Sequence, residues 1–235
     1  TRAEGAFANA FRQSSSNLAG GSGFLVALWC CALTVGTFSF YEFLVRGQNN
    51  PALTTWAVTA LAFAGITKAA QMPFQTWLLG AMVAPTPTSA LLHSSTMVKA
   101  GVFLLVKLAP VFLVCPVPSV MVVLVGGITF ALCSFMAISQ SNAKRVLAYS
   151  TIANLGLITA CAGVGTAEAV WAACFLILFH AIAKSLLFLC VGTAEHHIGS
   201  RDIGSMDLLF DRLPRLARFM MLGLLFMFNA PFGLL

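Results

Sequence analysis

Long apolar stretches separated by short polar or Pro/Gly-rich interruptions run through this chain, and about seven of them have the ~20-residue length that a helix needs to cross hydrocarbon. The first covers residues 8–45, with a polar opening at Arg12, Ser14, Ser15, Ser16 and Asn17 and a continuous run from Phe24 to Val45. The second, 53–82, is interrupted at Pro73; the third, 88–109, follows Pro85-Thr86-Pro87 and ends at Pro110. The fourth is 119–140, the fifth 147–164 and the sixth 167–192, and a seventh starts near Arg218. The pattern predicts an all-α polytopic transmembrane helix bundle, a single membrane domain over residues 1–235. The chain opens at Thr1 and stops at Leu235 inside an apolar run, so it reads as an excerpt of a longer subunit, with helices before residue 1 and after residue 235.

Composition agrees with the pattern. Of 235 residues, 59% are apolar and 9% charged, and mean hydropathy is +0.92. A water-soluble globule carries roughly 25% charged residues, so the bilayer is the solvent. The 13 basic residues give a net charge of +6 but form no dense run that grips phosphates, which excludes nucleic acid as a partner. Seven cysteines lie scattered in apolar stretches without a C-x-x-C pair and read as small buried hydrophobes, not as a disulfide frame or metal site.

Orientation follows from the connections, because Lys and Arg are retained on the cytoplasmic side. Alternate numbering gives one side Arg2, Lys144, Arg145, Arg201, Arg212, Arg215 and Arg218, and the other only Arg46, with Lys107 close by. That asymmetry supports seven spans and places the chain start and the 193–217 connection in the cytoplasm. The connection reads as a solvated loop, or as a docking loop for a neighbouring subunit, and holds His196 and His197.

The candidate chemistry lies in mid-span, where each ionisable group costs about 2.5–3.5 kcal/mol at a helix centre. Lys68 sits on the second span, His93 and Lys99 on the third, and His180 and Lys184 on the sixth. No acidic residue lies at comparable depth. Either the partners of these lysines lie outside these residues or the lysines are neutral, and a lysine poised between its two forms can relay a proton. His180 and Lys184 are i,i+4 neighbours on one helical face. Ser94, Ser95 and Thr96 lie within a turn of Lys99 and offer hydroxyls for a file of water, or bonds to their own backbone. Pro73 removes a donor and crowds the carbonyl of Ala69, so the second helix breaks beside Lys68 and a hydrated cavity is expected at that depth. A different class keeps His93 and His180 as axial ligands of a b-type haem, although Lys99 and Lys184 are out of place within two turns of such ligands. No other cofactor, metal or catalytic residue set is read from the sequence.

At Lys68-Ala-Ala-Gln-Met-Pro-Phe-Gln-Thr-Trp77, Ala84-Pro-Thr-Pro-Thr-Ser-Ala-Leu-Leu-His93 and Thr96-Met-Val-Lys-Ala-Gly101, the sequence resembles the antiporter-like membrane subunits of respiratory complex I. Lys144-Arg-Val-Leu-Ala-Tyr-Ser-Thr151 and Phe179-His-Ala-Ile-Ala-Lys184 extend the match over nearly the whole chain. The same core is shared by Mrp-type cation/proton antiporters and membrane-bound hydrogenases. Within that group, Leu187 to Asp202 looks most like the large membrane subunit of Ech-type energy-converting hydrogenases.

The resemblance implies two inverted five-helix repeats, each with a broken helix, and a line of protonatable residues along the membrane midplane. It makes Lys68 the broken-helix lysine of a first half-channel, Lys99 and His93 its continuation, and His180 with Lys184 the link between half-channels. The family's glutamate partner lies on a helix before residue 1, and its second broken-helix lysine falls just beyond Phe232 to Leu235. Leu176 stands where complex I relatives often carry a further histidine. The implied function is proton, or sodium, translocation driven by a redox reaction on other subunits, with loss of the glutamate pair releasing the Lys68 proton toward Lys99, His180 and Lys184. Implied partners are membrane and hydrophilic subunits, among them iron–sulfur and nickel–iron hydrogenase or quinone-reductase subunits, in a bacterial or archaeal cytoplasmic membrane. A stand-alone Mrp-type antiporter and a passive membrane scaffold for a hydrogenase are the alternatives.

Overall fold

The computed structural model describes residues 2–36, 38–207 and 209–228, with side chains from residue 7 onward. Among them five helices are long and apolar enough to cross a membrane, Phe7–Val35, Thr86–Phe112, Pro116–Ile138, Ala143–Val164 and Ala167–Ile198. The chain is an integral, multi-pass membrane protein.

The first helix, α1 (Arg2–Cys30), continues through a π-helical turn to Val35 and ends at Gly36, whose φ of +68° is the left-handed conformation that closes helices. The predicted span therefore runs about ten residues too far. Phe40–Asn49 is instead a separate amphipathic helix, α2, whose Arg46 donates to the Val35 carbonyl at the end of the preceding helix, a favourable place for a cation. The polar opening of the first span is helical, its side chains turned back onto their own backbone, as in Asn17 to the Gln13 carbonyl (2.8 Å).

The second pass breaks where Pro73 predicts. Helix α3 (Pro51–Lys68) ends at the lysine, and a short α4 (Thr76–Gly80) resumes after the break. Freed polar groups in a membrane interior must be met by protein or water. Here the Met72 amide donates to Thr129 Oγ1 (3.0 Å), the Trp77 indole to the Thr67 carbonyl (3.2 Å) and the Gln71 side-chain amide to the Ala69 carbonyl (3.0 Å).

The third pass is also broken, which the apolar pattern does not announce. It splits into α5 (Thr86–Ser94) and α6 (Met97–Phe112) at Ser95 and Thr96, with no proline in the gap. Three consecutive hydroxyl residues compete for the backbone there, and Thr96 Oγ1 takes the Leu91 carbonyl (3.2 Å). Pro110 does not end α6, which runs two residues further.

Then come α7 (Pro116–Ile138), α8 (Ala143–Val164) and α9 (Ala167–Ile198), followed by a 3₁₀ turn, a short α10 (Leu209–Arg212) and α11 (Pro214–Met227). Helices α7 and α8 meet at glycine, since a Cβ on Gly126 would stand 2.6 Å from the Gly156 carbonyl, the close approach that small residues permit where lipid supplies no hydrophobic drive. With α3–α4 counted as one pass beside the five long helices, the described residues hold six passes, and α11 lies where the seventh predicted span begins. Residues 84–86, 141–145 and 195–203 meet at one end of the bundle. Alternation put these connections on one side, and the structure agrees.

Candidate functional site

Four of the five mid-span residues come together between α5, α6, α8 and α9. Lys99, on the first turn of α6, reaches α9. Its Nζ lies 2.9 Å from Nδ1 of His180 and donates to the Ile177 carbonyl at 3.2 Å. One turn along α9, Lys184 is fully buried and turns to α8, where it donates to the Leu147 carbonyl (3.1 Å) and to the Ser150 hydroxyl. His93, near the end of α5, is fully buried with its ring stacked on Phe188 of α9, 4.7 Å between centroids at 26°. Neither nitrogen of His93, nor Nε2 of His180, has a hydrogen-bond partner among the described residues.

An amine touching an imidazole in a buried setting holds one proton between two bases, with no carboxylate to fix it. Among the described residues, ion pairs form at Glu195 and none reaches Lys68, Lys99 or Lys184. Buried polar atoms left without a protein partner normally face water or a mobile ligand, and among the described residues the His93 and His180 nitrogens beside the amines are three of them, with Gln71 Oε1, Gln75 Oε1 and Thr159 Oγ1 elsewhere. The arrangement can accept, hold and hand on protons.

Lys68 stands apart. It closes α3, half-buried, and donates to Asn17 Oδ1 of α1 at 3.1 Å. Both residues line a cavity of about 280 Å³ with Gly20, Gly21 and Gly101. The expected cavity beside the broken helix is therefore present, lined by α1, α3 and α6, and Lys99 is not among its lining residues. Gly101 of α6 packs so tightly on α3 that a Cβ there would stand 2.5 Å from the Ala69 nitrogen and 2.6 Å from the Gly65 carbonyl.

Several details differ from the sequence reading. Ser95 and Thr96 are exposed, so the hydroxyl near the amines is not theirs but that of Ser150 on α8. Ser150 and Asn17 are legible in the sequence only as polar residues in apolar helices, with nothing to say which lysine each meets. His196 and His197 lie on the last turn of α9, not in a loop. Lys107 is exposed, its amine 5.7 Å from the Phe103 ring centre, in keeping with a snorkelling side chain.

The largest departure concerns Lys144, which the charge pattern places in a cytoplasmic loop. It lies on the first turn of α8, only 1% exposed, 3.2 Å from Glu195 Oε2 and 3.5 Å from the Ala84 carbonyl. Thr86 donates to the same Glu195 oxygen at 3.1 Å, and Arg201 pairs with the other at 2.5 Å. Glu195 escapes the sequence reading because it follows the predicted end of the sixth span, whereas α9 runs on to Ile198.

A polytopic helical bundle with two interrupted passes and a buried cluster of amines and imidazoles defines a class, the antiporter-like membrane proteins. The chain belongs to the NADH:quinone oxidoreductase/Mrp antiporter transmembrane family, whose pattern it matches over residues 4–234. It is 42% identical over 215 residues to a probable K(+)/H(+) antiporter protein of Rhizobium meliloti (strain 1021), covering 90% of this chain and 21% of that protein. To the "Putative antiporter subunit mnhA2" of Staphylococcus aureus (strain MRSA252) it is 38% identical over 229 residues, 91% of this chain and 29% of the relative. The chain thus spans less than a third of the length of these curated relatives. Among solved structures it is similar to a chain of the Mrp complex from Dietzia sp. DQ12-45-1b, with a TM-score of 0.80, 34% identity and coverage of 94% of this chain and 26% of that one. It is also similar to a chain of the membrane-bound sulfane sulfur reductase, an archaeal respiratory membrane complex, with a TM-score of 0.79, 25% identity and coverage of 91% and 45%.

Proposed function

We propose that these residues form one membrane domain within the large subunit of an Mrp-type cation/proton antiporter and carry its proton path, working in an assembly with other membrane subunits. The observation that carries the reading is the buried contact between Lys99 Nζ and His180 Nδ1 at 2.9 Å, joined by Lys184 on the same helix and by His93. In this reading protons are shared between amine and imidazole at the Lys99–His180 pair, exchange along α9 with Lys184, and meet water held by the free nitrogens of His93 and His180. Lys68, bonded to Asn17 at its own cavity, is a second station that exchanges with Lys99 across the α3–α6 contact. No cofactor takes part, because titratable side chains and water are enough. The similarity to Mrp-type proteins at 34–42% identity supports cation exchange as the coupled process.

Lys99→Ala and Lys184→Ala in the full-length protein, assembled in inverted membrane vesicles, test it. Cation-driven proton exchange, followed with a pH-sensitive dye, should fall by about a hundredfold or more, the scale of a lost proton-transfer group. Undiminished exchange in correctly assembled variants would refute the relay.

A second reading, favoured by the similarity to the sulfane sulfur reductase complex, makes the chain part of a redox-driven pump such as an Ech-type energy-converting hydrogenase. Iron–sulfur or nickel–iron subunits would then do the electron transfer, with the same side chains moving protons or sodium. Copurification separates the two: iron–sulfur proteins with the purified assembly favour the pump, and small membrane proteins alone favour the antiporter.

A further inference from the structure

The ion cluster at the end of the bundle has no part in the relay just described, yet it is built on the same helices. Lys144 and Ser150, the hydroxyl partner of Lys184, lie six residues apart on α8, about 9 Å of helix rise. Lys184 and Glu195 lie on α9. Between these pairs sits an apolar layer of Leu147, Ala148, Leu187, Phe188 and Val191. Beyond the layer, Lys144, Glu195 and Arg201 line a cavity of about 600 Å³ with Thr86, Thr193 and His196. A lysine 1% exposed is held by one carboxylate, which is 22% exposed and shared with an arginine 41% exposed. The carboxylate therefore bridges a solvent-reached guanidinium and an almost fully buried ammonium at the wall of the same cavity.

We propose that Glu195, with Lys144 behind it and Arg201 in front, is the proton-access site of the relay, at the end that the basic-residue asymmetry assigns to the cytoplasm. The inference rests on the relay reading and extends it. A proton from hydronium in the cavity adds to the Glu195 carboxylate, leaving neutral water behind and breaking the bonds to Lys144 and Arg201. The Lys144 ammonium, left with only the Ala84 carbonyl at 3.5 Å, gives its proton inward past the Leu147–Phe188 layer to the amine of Lys184, which becomes the ammonium. The neutral Lys144 amine is recharged by the Glu195 carboxyl, which returns to carboxylate and closes again on Arg201. One proton has moved from the cavity to Lys184 and nothing else has changed. Charged and titratable groups facing Glu195 are Lys144 from α8, Arg201 from the following connection and His196 beside it, with the Thr86 hydroxyl from α5.

The test uses the full-length protein in its assembly, in inverted vesicles, with a pH-sensitive dye reporting exchange against added sodium or potassium. Glu195→Gln should slow exchange by about a hundredfold, and Glu195→Asp, which keeps the titratable group, should restore most of it. If Glu195→Gln fails to assemble, the double variant Lys144→Gln/Glu195→Gln removes both charges and leaves no buried ion unpaired. Assembly restored without exchange supports the access site, whereas assembly restored with exchange reduces the pair to a structural clasp and overturns it. Glu195→Gln exchanging at the parent rate while Lys184→Ala is inactive overturns the access site and leaves the relay standing. Parent rates in both variants overturn both.

Discussion

Gly101→Ala is a one-carbon change that strikes the contact between the Lys68 helix and the Lys99 helix. Its Cβ would lie 2.5 Å from the Ala69 nitrogen, 2.6 Å from the Gly65 carbonyl oxygen and 2.9 Å from the Lys68 carbonyl carbon. All three are backbone atoms, so no rotamer change relieves the overlap, and α6 must retreat from α3 by roughly 1 Å to reach ordinary van der Waals separation. Overpacking of this kind costs about 1–3 kcal/mol. A displacement of roughly 1 Å between transfer partners can slow a reaction about a hundredfold. Thermal unfolding of the purified full-length protein in detergent, followed by helical circular dichroism, should show a lowered midpoint, and vesicle exchange should fall further than stability alone explains. Gly127→Ala is the control, because a Cβ there meets nothing within 4 Å. Equal midpoints and equal exchange for Gly101→Ala and Gly127→Ala would refute the argument that backbone contact at Gly101 sets the spacing of the two lysines.

Ser150→Ala removes the hydroxyl from Lys184 and leaves the Leu147 carbonyl at 3.1 Å; a stability loss of about 1 kcal/mol with slowed exchange is expected in denaturation and dye assays, and Ser150→Thr should behave like the parent. His93→Phe keeps the ring that stacks on Phe188 but loses both unpartnered nitrogens, so assembly by size-exclusion chromatography should be normal while exchange is lost. Asn17→Asp puts a carboxylate in place of the amide 3.1 Å from Lys68 and should hold that lysine charged, slowing exchange, whereas Asn17→Gln should be mild.

Much of this is legible in the chain because membrane physics is strict. Ionisable side chains in apolar runs are costly enough that Lys99, His180 and Lys184 stand out without any geometry, and Pro73 announces the first break by chemistry alone. The second break is not legible. Ser94, Ser95 and Thr96 suit a helix that hydrogen-bonds its own backbone as well as one that parts, and only tertiary neighbours decide between them. The separation of Lys68 from the other four is hidden for a similar reason, since residues one turn apart on a helix announce themselves whereas the helix a lysine reaches across to does not. Lys144 is misplaced by the charge pattern because charge at a span boundary ordinarily faces water. Its burial depends on Glu195, a residue 51 positions away that enters the same site only because α9 extends one and a half turns beyond its apolar run.

The apolar layer of Leu147, Leu187, Phe188 and Val191 has an electrical consequence. Voltage across a bilayer falls mainly over its poorly polarisable parts, and the interrupted passes, together with the cluster of amines, are more polarisable than this layer. The drop on this side of the protein is therefore compressed into a slab only a few side chains thick. In the access step proposed above, a proton crossing that slab would do most of its work against the field there, out of about 2.3 kcal/mol per 100 mV for the full membrane. Bulk or polarity changed at Phe188 thereby tunes how steeply the protein responds to membrane potential.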